Sequence, residues 1–176
     1  KWMLAPKGAA FLYVQRDVQE RIEPMVVSWG YQPTPDIATG SRFIDILQWT
    51  GTKDPSAALT VPAAIRFMQE HDWERVRSQC HDLLRQALER LCELTKLPAP
   101  YPLDSDFYSQ MGIAPLPASD LAALKSRLYD EFKIEVPLTE WQDKQFIRIS
   151  VQGYNTQEDI DTLVRALENL LPQVTA

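Results

Sequence analysis

The chain has 176 residues, of which 45% are hydrophobic and 24% charged, and its formal net charge at pH 7 is −6. These values are typical of one globular domain, or two small ones, with a buried core. The acidic balance argues against nucleic acid as a partner, because such binders need a basic face, and against an anionic membrane. No apolar run approaches the roughly 20 residues of a spanning helix.

The two cysteines, Cys80 and Cys92, lie in one segment with helical periodicity. Twelve residues of helix separate their Cα atoms by about 18 Å along the axis, so they cannot form a disulfide with each other. Unpaired cysteines favour a reducing compartment, and we expect a cytoplasmic protein. Neither His71 nor His81 belongs to a pattern with metal-ligand spacing, so no metal site is predicted.

Near the start of the chain, residues 9–14 (AAFLYV) predict a short buried strand. Residues 17–23 predict a surface helix that begins at Asp17 as its N-cap. Residues 24–42 contain three prolines and two glycines and predict a long irregular segment.

A second helix is predicted after Gly51 and Thr52, with Asp54 as its N-cap and Pro55 in its first turn. Pro62 predicts a kink or break within that helix. Residues 72–96 follow as a long amphipathic helix, because leucine and other apolar residues recur there at steps of three and four.

The last third of the chain alternates between predicted strands and helices. This order predicts a small α+β layer in which helices cover one face of a sheet. The predicted elements are a strand at 110–117, a helix at 119–133 capped by Ser119, strands at 134–141 and 145–152 joined by a turn at 142–144, and a helix that begins with a capping box at Thr156–Asp159.

Three places could carry chemistry. Lys1 precedes a predicted strand and could be a nucleophile if its ammonium is desolvated, although an ordinary surface lysine is the commoner case. Gly51 and Thr52 offer a backbone N–H and a hydroxyl to an anion, which alone is a weak pattern. Arg148 stands in FIRISVQ between apolar neighbours, where it either grips a carboxylate ligand or forms a salt bridge within the protein.

A lysine, a glycine–threonine pair and an arginine together fit an amino acid bound to a phosphorylated carbonyl cofactor. The segments KWMLAPKGAAFLYV, SRFIDILQWTGTKDPSAAL and IRISVQGYNTQEDID, in this order, resemble the C-terminal half of class V aminotransferase-like enzymes, which depend on pyridoxal phosphate. Within that family the segments look most similar to isopenicillin N epimerase-like proteins. The resemblance covers essentially the whole chain.

The resemblance implies roles for the same residues. Lys1 matches the lysine that forms the Schiff base with the cofactor, Gly51 and Thr52 match the pair that reaches the cofactor phosphate of the neighbouring subunit, and Arg148 matches the arginine that binds the substrate α-carboxylate. It also implies a homodimer with an active site shared across subunits and a fold-type-I α/β fold with an α+β C-terminal part. Residues 1–71 would end the cofactor-binding large domain, and residues 72–176 would form the small domain.

Two departures from the family qualify these expectations. The family's cysteine desulfurases carry a persulfide cysteine before the carboxylate-binding arginine, whereas residues 133–147 contain no cysteine. The family's other cofactor contacts lie upstream of the Schiff-base lysine. We therefore expect the chain to be a fragment that is inactive by itself. Epimerisation, transamination and β-elimination, as in a C–S lyase, stay open as reactions, and so does an inactive α+β interaction module.

Overall fold

The structure, a computed structural model, describes residues 1–175. The chain divides into two compact units, of which the first is Lys1–Gln69 and the second begins at Glu70. The expected division into the end of a large domain (residues 1–71) and a small domain (residues 72–176) stays a prediction.

The first unit consists mainly of irregular backbone with short helices. Only Gly30, Asp45 and Ile46 of residues 1–69 are buried, so this unit has almost no apolar core of its own. Its regular elements are the 3₁₀ helices Arg16–Arg21 and Trp29–Tyr31 and the α-helices α1 (Arg42–Gln48), α2 (Ser56–Leu59) and α3 (Val61–Glu70).

The predicted buried strand at residues 9–14 is wrong. This segment has no regular structure, and the side chains of Phe11 and Tyr13 are 85% and 78% exposed. A strand needs a neighbouring strand to satisfy its backbone N–H and C=O groups. Residues 1–69 contain no strand, so the apolar pattern at 9–14 has nothing within this unit to pair with.

The helix predicted at residues 17–23 is present as the 3₁₀ helix Arg16–Arg21, but its predicted cap is wrong. Gln15 occupies the N-cap position without a side-chain hydrogen bond, and Asp17 lies inside the first turn. A carboxylate in a first turn still interacts favourably with the positive end of the helix dipole.

The predicted break near Pro62 is confirmed. Thr60 separates α2 from α3, and Pro62 is the second residue of α3, where its missing N–H costs no hydrogen bond. The predicted cap at Asp54 is displaced by one residue, because Pro55 occupies the N-cap position of α2. Asp54 Oδ1 nevertheless accepts a 2.9 Å hydrogen bond from the Ser56 N–H.

The second unit has a three-stranded antiparallel sheet and three long helices. The strand order is β1-β3-β2, so β3 is the central strand. The elements, in chain order, are α4 (Trp73–Thr95), β1 (Met111–Leu116), α5 (Leu121–Phe132), β2 (Leu138–Trp141), β3 (Lys144–Ser150) and α6 (Gln157–Val174).

One apolar core joins the three long helices to one face of the sheet. Leu88 of α4, Leu124 of α5, Ile147 of β3 and Leu167 of α6 are all fully buried in it. Because side chains alternate along a strand, Arg148 lies on the opposite face of β3 from Ile147. The predicted sheet with helices on one face is therefore confirmed.

Two boundaries in the second unit differ from prediction. Asp120, and not Ser119, caps α5, since its Oδ1 accepts 3.0 Å hydrogen bonds from two backbone N–H groups of the first turn. The strand predicted at 134–141 is shortened to β2 because Pro137 has no N–H to donate, although its carbonyl still accepts a hydrogen bond from the Arg148 N–H.

The predicted turn and the predicted capping box are present in this unit, although the turn is one residue shorter than the predicted 142–144 because Lys144 begins β3. Gln142 and Asp143 both have positive φ values, 49° and 58°, as a tight two-residue hairpin turn between β2 and β3 requires. The capping box at the start of α6 is present, with the Thr156 N–H donating to Asp159 Oδ2 at 2.9 Å.

Candidate functional site

Lys1 lies in a turn of the first unit. Its carbonyl oxygen accepts a 2.9 Å hydrogen bond from the Leu4 N–H, and Leu4 has a positive φ of 60°. The residue is exposed, and its side-chain amine has no hydrogen bond or ion pair within residues 1–175. The backbone of this lysine is thus held in a turn while its amine is available to a ligand.

Gly51 and Thr52 form a bend between α1 and α2. Gly51 has a φ of +115°, a conformation that side chains with a Cβ rarely adopt, and Thr52 is exposed. The helix that follows, α2, has only four residues, so little of a helix dipole is available to an anion here. Any anion binding would come from the Thr52 hydroxyl and the backbone N–H groups of the bend.

Arg148 is an exposed residue of the central strand β3, between Ile147 and Ile149, which are 0% and 4% exposed. Its backbone N–H donates to the Pro137 carbonyl at 2.9 Å, and its register partner on β1 is Ile113. No ion pair or hydrogen bond to the guanidinium occurs among the residues that the structure describes. The salt-bridge alternative is therefore not realised in residues 1–175, and the guanidinium is available to an anion.

A cavity of about 600 Å³ lies beside Arg148. A volume of this size is within the range of pockets that bind small organic molecules. Its wall combines apolar side chains with a few charged and amide groups. The lining residues come from α5 and the segment after it (Lys125, Phe132, Lys133, Ile134, Glu135, Val136, Pro137), from β3 and the residue after it (Arg148, Ile149, Ser150, Val151) and from the turn before α6 with its first turns (Asn155, Asp159, Ile160, Thr162, Leu163).

The sequence did not predict Lys125, Lys133 and Glu135 as residues of this cavity, and it predicted Asp159 only as part of the capping box. Lys125 lies on the polar side of an amphipathic helix, and Lys133 and Glu135 follow the end of that helix, so periodicity treats all three as solvated surface. Lys133 is partly engaged, because its Nζ donates to the Asp130 carbonyl at 2.8 Å. The cavity arises when residues 132–137 pack beside β3, and no local sequence pattern indicates that packing.

Asn155 acts as a turn residue between β3 and α6. Its side-chain oxygen accepts a 2.9 Å hydrogen bond from the Gln152 N–H, and its own N–H donates to the Gln152 carbonyl at 2.8 Å. This closed pair of bonds fixes the connection between β3 and α6, and so it fixes one wall of the cavity.

The two cysteines lie on α4, and neither is in a disulfide or lines the cavity beside Arg148. Burial raises the pKa of the Cys80 thiol and of the Cys92 thiol above the ordinary value. Both are therefore poor nucleophiles near neutral pH, because the thiolate is the reactive form.

The predicted site residues are distributed over the two units. Gly51 and Thr52 are adjacent in one bend, and Lys1 is in the same unit without a hydrogen bond to either of them, whereas Arg148 belongs to the second unit. Within residues 1–175 there is no group of three or more His, Cys, Asp or Glu residues that could hold a metal ion. The helices of that range do not include one that is both long and apolar enough to span a membrane.

The architecture matches the C-terminal part of a known α/β fold. An apo structure of cysteine desulfurase from Thermococcus onnurineus NA1 matches 97% of this chain with a TM-score of 0.73. The match covers 45% of the desulfurase chain. At 20% sequence identity this likeness shows the fold alone. The predicted fold class, α/β with an α+β C-terminal part, is confirmed.

The chain belongs to the class V aminotransferase family, whose family model matches residues 1–115. Isopenicillin N epimerases from Amycolatopsis lactamdurans and Streptomyces clavuligerus are 33% and 31% identical over 97% of the chain. A putative L-cysteine desulfhydrase from Oryza sativa subsp. japonica is 28% identical over the same share. The chain spans less than half the length of these relatives, 45% of each epimerase and 39% of the desulfhydrase.

Proposed function

We propose that this chain is the C-terminal portion of a pyridoxal-phosphate-dependent enzyme that acts at Cα of an amino acid or of a substrate containing one, with epimerase-like or aminotransferase-like chemistry. Membership of the class V family and similarity to two isopenicillin N epimerases support the proposal. The observation that carries it is the Arg148 guanidinium, which has no protein partner in residues 1–175 and lines a cavity of about 600 Å³.

The chemistry of the available groups fits such a cofactor and its substrate. A primary amine at Lys1 can condense with an aldehyde, the Thr52 hydroxyl and the bend at Gly51 can donate hydrogen bonds to a phosphate, and the Arg148 guanidinium can hold a carboxylate bidentately. Pyridoxal phosphate, when bound, supplies an electron sink that makes the C–H bond at Cα acidic. Lys1 Nζ would then accept the proton from Cα and return it, as a general base and acid.

Each unit has its own part in this proposal. Residues 1–71 would end the cofactor-binding large domain, and residues 72–176 would form the small domain that brings Arg148 to the substrate. The enzyme would be a cytoplasmic homodimer, with Gly51 and Thr52 reaching the cofactor phosphate of the neighbouring subunit. Two cysteines without a disulfide support a reducing compartment.

The second candidate is β-elimination, as in a C–S lyase that acts on a cysteine-like substrate. The similar putative L-cysteine desulfhydrase favours it. Elimination needs no persulfide cysteine, which agrees with the absence of cysteine from residues 133–147. A persulfide route is disfavoured further by the raised pKa of both thiols on α4.

Covalent trapping tests the cofactor assignment. The full-length protein is incubated with pyridoxal phosphate, reduced with borohydride and digested, and the modified lysine is identified by mass spectrometry. We expect the adduct on Lys1 Nζ, and we expect this adduct to be lost in Lys1→Arg but kept in the matched control Lys7→Arg. Adducts spread evenly over Lys7 and Lys53, or none, would favour the inactive interaction module.

Product analysis separates the two reactions once the cofactor is established. The full-length protein is incubated with L-cysteine and, separately, with an amino acid that has no β-leaving group. Release of sulfide from cysteine favours the lyase, whereas deuterium incorporation at Cα without sulfide favours epimerase-like or aminotransferase-like chemistry.

A further inference from the structure

The bend that carries Gly51 and Thr52 follows α1, the helix that contains two of the three buried residues of the first unit. Gly30, Asp45 and Ile46 are the buried residues of this unit, and Gly30 and Asp45 contact each other through their backbones. A unit with so few buried residues has few contacts that could hold an exposed loop in one place. Contacts that hold the end of α1 therefore bear on the position of Gly51 and Thr52, which follow it in the chain.

Gly30 lies directly on the backbone of α1. A Cβ at this position would lie 1.7 Å from the Asp45 carbonyl oxygen and 3.1 Å from Trp49 Cβ, so no side chain larger than hydrogen fits without a shift of the backbone. The Gly30 N–H donates to the Trp49 carbonyl at 3.3 Å. This contact fixes the last residues of α1, two residues before Gly51.

Asp45 supports the same contact from inside α1. Its backbone oxygen accepts a 3.3 Å hydrogen bond from the Trp49 N–H, which closes the end of the helix. Its side-chain Oδ1 accepts from the Thr39 N–H at 3.0 Å and from the Thr39 hydroxyl at 2.7 Å. The residue is 8% exposed, and its carboxylate ties the loop before α1 to the helix itself.

The segment before Gly30 also lies near the bend. A Cβ built on Gly51 would lie 3.8 Å from the Ser28 hydroxyl oxygen, which is ordinary van der Waals distance. On the other side of the bend, Lys53 Nζ donates to the Gln48 carbonyl at 2.9 Å. The bend is thus bounded by residues 28–30 on one side and by the end of α1 on the other.

We propose that Gly30 and Asp45 are positioning residues that hold the bend at Gly51 and Thr52 in a conformation ready to bind a phosphate. The proposal rests on the function proposed above for the phosphate-binding role of that bend, but the positioning itself can be measured without any ligand. Gly30 acts by close backbone approach, and Asp45 acts by accepting hydrogen bonds from Thr39.

The test compares Gly30→Ala with Gly40→Ala by ¹⁵N relaxation in the full chain. A Cβ on Gly40 would meet nothing within 4 Å, although the φ of +80° there strains any alanine, so this variant reports general destabilisation of the unit without the clash. We expect the amide order parameters at Gly51 and Thr52 in Gly30→Ala to fall towards about 0.6, the value of flexible backbone. Order parameters at Gly51 and Thr52 that equal those of Gly40→Ala would overturn the proposal.

A second pair of variants covers the case in which Gly30→Ala disrupts the whole unit. Asp45→Ala removes the acceptor for Thr39, whereas Asp45→Asn keeps an oxygen in the same place. We expect lowered order parameters at Thr52 in Asp45→Ala and near-native values in Asp45→Asn. Equal values in these two variants would contradict a positioning role for the Asp45 side chain.

A ligand measurement separates this proposal from the proposed function. The affinities for pyridoxal phosphate and for pyridoxal are compared in each variant, because only the first carries a phosphate. We expect the preference for the phosphorylated form to drop about tenfold in Gly30→Ala, equivalent to one lost charged hydrogen bond. If the bend becomes mobile but the preference is unchanged, the positioning stands and the phosphate role of Gly51 and Thr52 is wrong.

Discussion

The two units of the chain differ in how far they bury their apolar side chains. In the second unit Leu84, Leu88 and Leu91 are fully buried against the sheet and the other helices, whereas in the first unit Leu12 is 63% exposed and Met25 fully exposed. Large exposed apolar areas are unusual on a monomeric surface and mark faces that associate with something else. The second unit therefore contains the partners for its own apolar pattern, and the first unit does not.

Matched leucine substitutions test the difference in burial between the two units most directly. Leu88→Ala should lower the free energy of unfolding of the second unit by about 2–5 kcal/mol, because it leaves a cavity in a closely packed core. Leu12→Ala removes the same atoms from an exposed position and should change the free energy by no more than about 0.5 kcal/mol. Urea unfolding followed by far-ultraviolet circular dichroism measures both, and equal effects would show that the first unit has a core after all.

The same difference explains what the sequence could predict. The helix α4 and the buried face of α6 follow from apolar spacing, because their partners lie within the same unit of the chain and periodicity reports burial there. Residues 9–14 have an equally clear apolar pattern but no strand to pair with, so the prediction of a buried strand is wrong. An apolar pattern predicts a helix or strand correctly only where the same unit also contains the element that packs against it.

The candidate site could also be predicted from the sequence only in part. Strand alternation was sufficient to place Arg148 on the open face of β3, and the structure adds that its guanidinium has no partner in residues 1–175. Lys125 and Glu135 could not be predicted as cavity residues, because the cavity depends on how the segment after α5 packs beside β3. The contact between Gly30 and Asp45 is likewise a close approach of backbones that no local spacing indicates.

If Arg148 binds the substrate carboxylate as proposed, substrate binding belongs to the second unit. Arg148→Ala should weaken binding of an amino acid carboxylate by about 1.5–3 kcal/mol, or roughly 10- to 150-fold, because one charged hydrogen-bond partner is lost. Binding of pyridoxal phosphate should not change. The measurement is a titration of the cofactor-loaded full-length protein with an L-amino acid, with Arg165→Ala, an exposed arginine of α6, as the matched control. Unchanged amino acid affinity would contradict the assignment.

Helix caps offer a smaller test in both units. Thr156 forms a complete capping box with Asp159 at the start of α6, whereas Ser41 at the start of α1 makes a single long hydrogen bond of 3.4 Å to the Ile44 N–H. Thr156→Ala should therefore cost about 1 kcal/mol, and Ser41→Ala clearly less. Thermal or urea unfolding measures both. A larger loss for Ser41→Ala would mean that the short helices of the first unit contribute more stability than their exposure indicates.

The smallest effect concerns the ion pair between Arg90 of α4 and Asp161 of α6, whose atoms Nη1 and Oδ1 are 2.5 Å apart. The hydrogen bond from Arg90, with a second one from Gln157, holds the pKa of Asp161 below its ordinary value. A carboxyl group with a lowered pKa in the folded state adds stability above its unfolded pKa, and this is lost as the pH falls through the folded value.

Asp161→Asn should therefore flatten the loss of stability that the second unit shows below about pH 4, the ordinary range of an aspartate. The effect should be small, since both side chains are substantially exposed and water and salt screen the pair. Urea midpoints measured between acid and neutral pH provide the comparison, with Asp106→Asn, an exposed loop residue of the same unit, as the control. Identical pH profiles for the two variants would mean that this pair contributes nothing to the contact between α4 and α6, and that the apolar core alone holds these helices together.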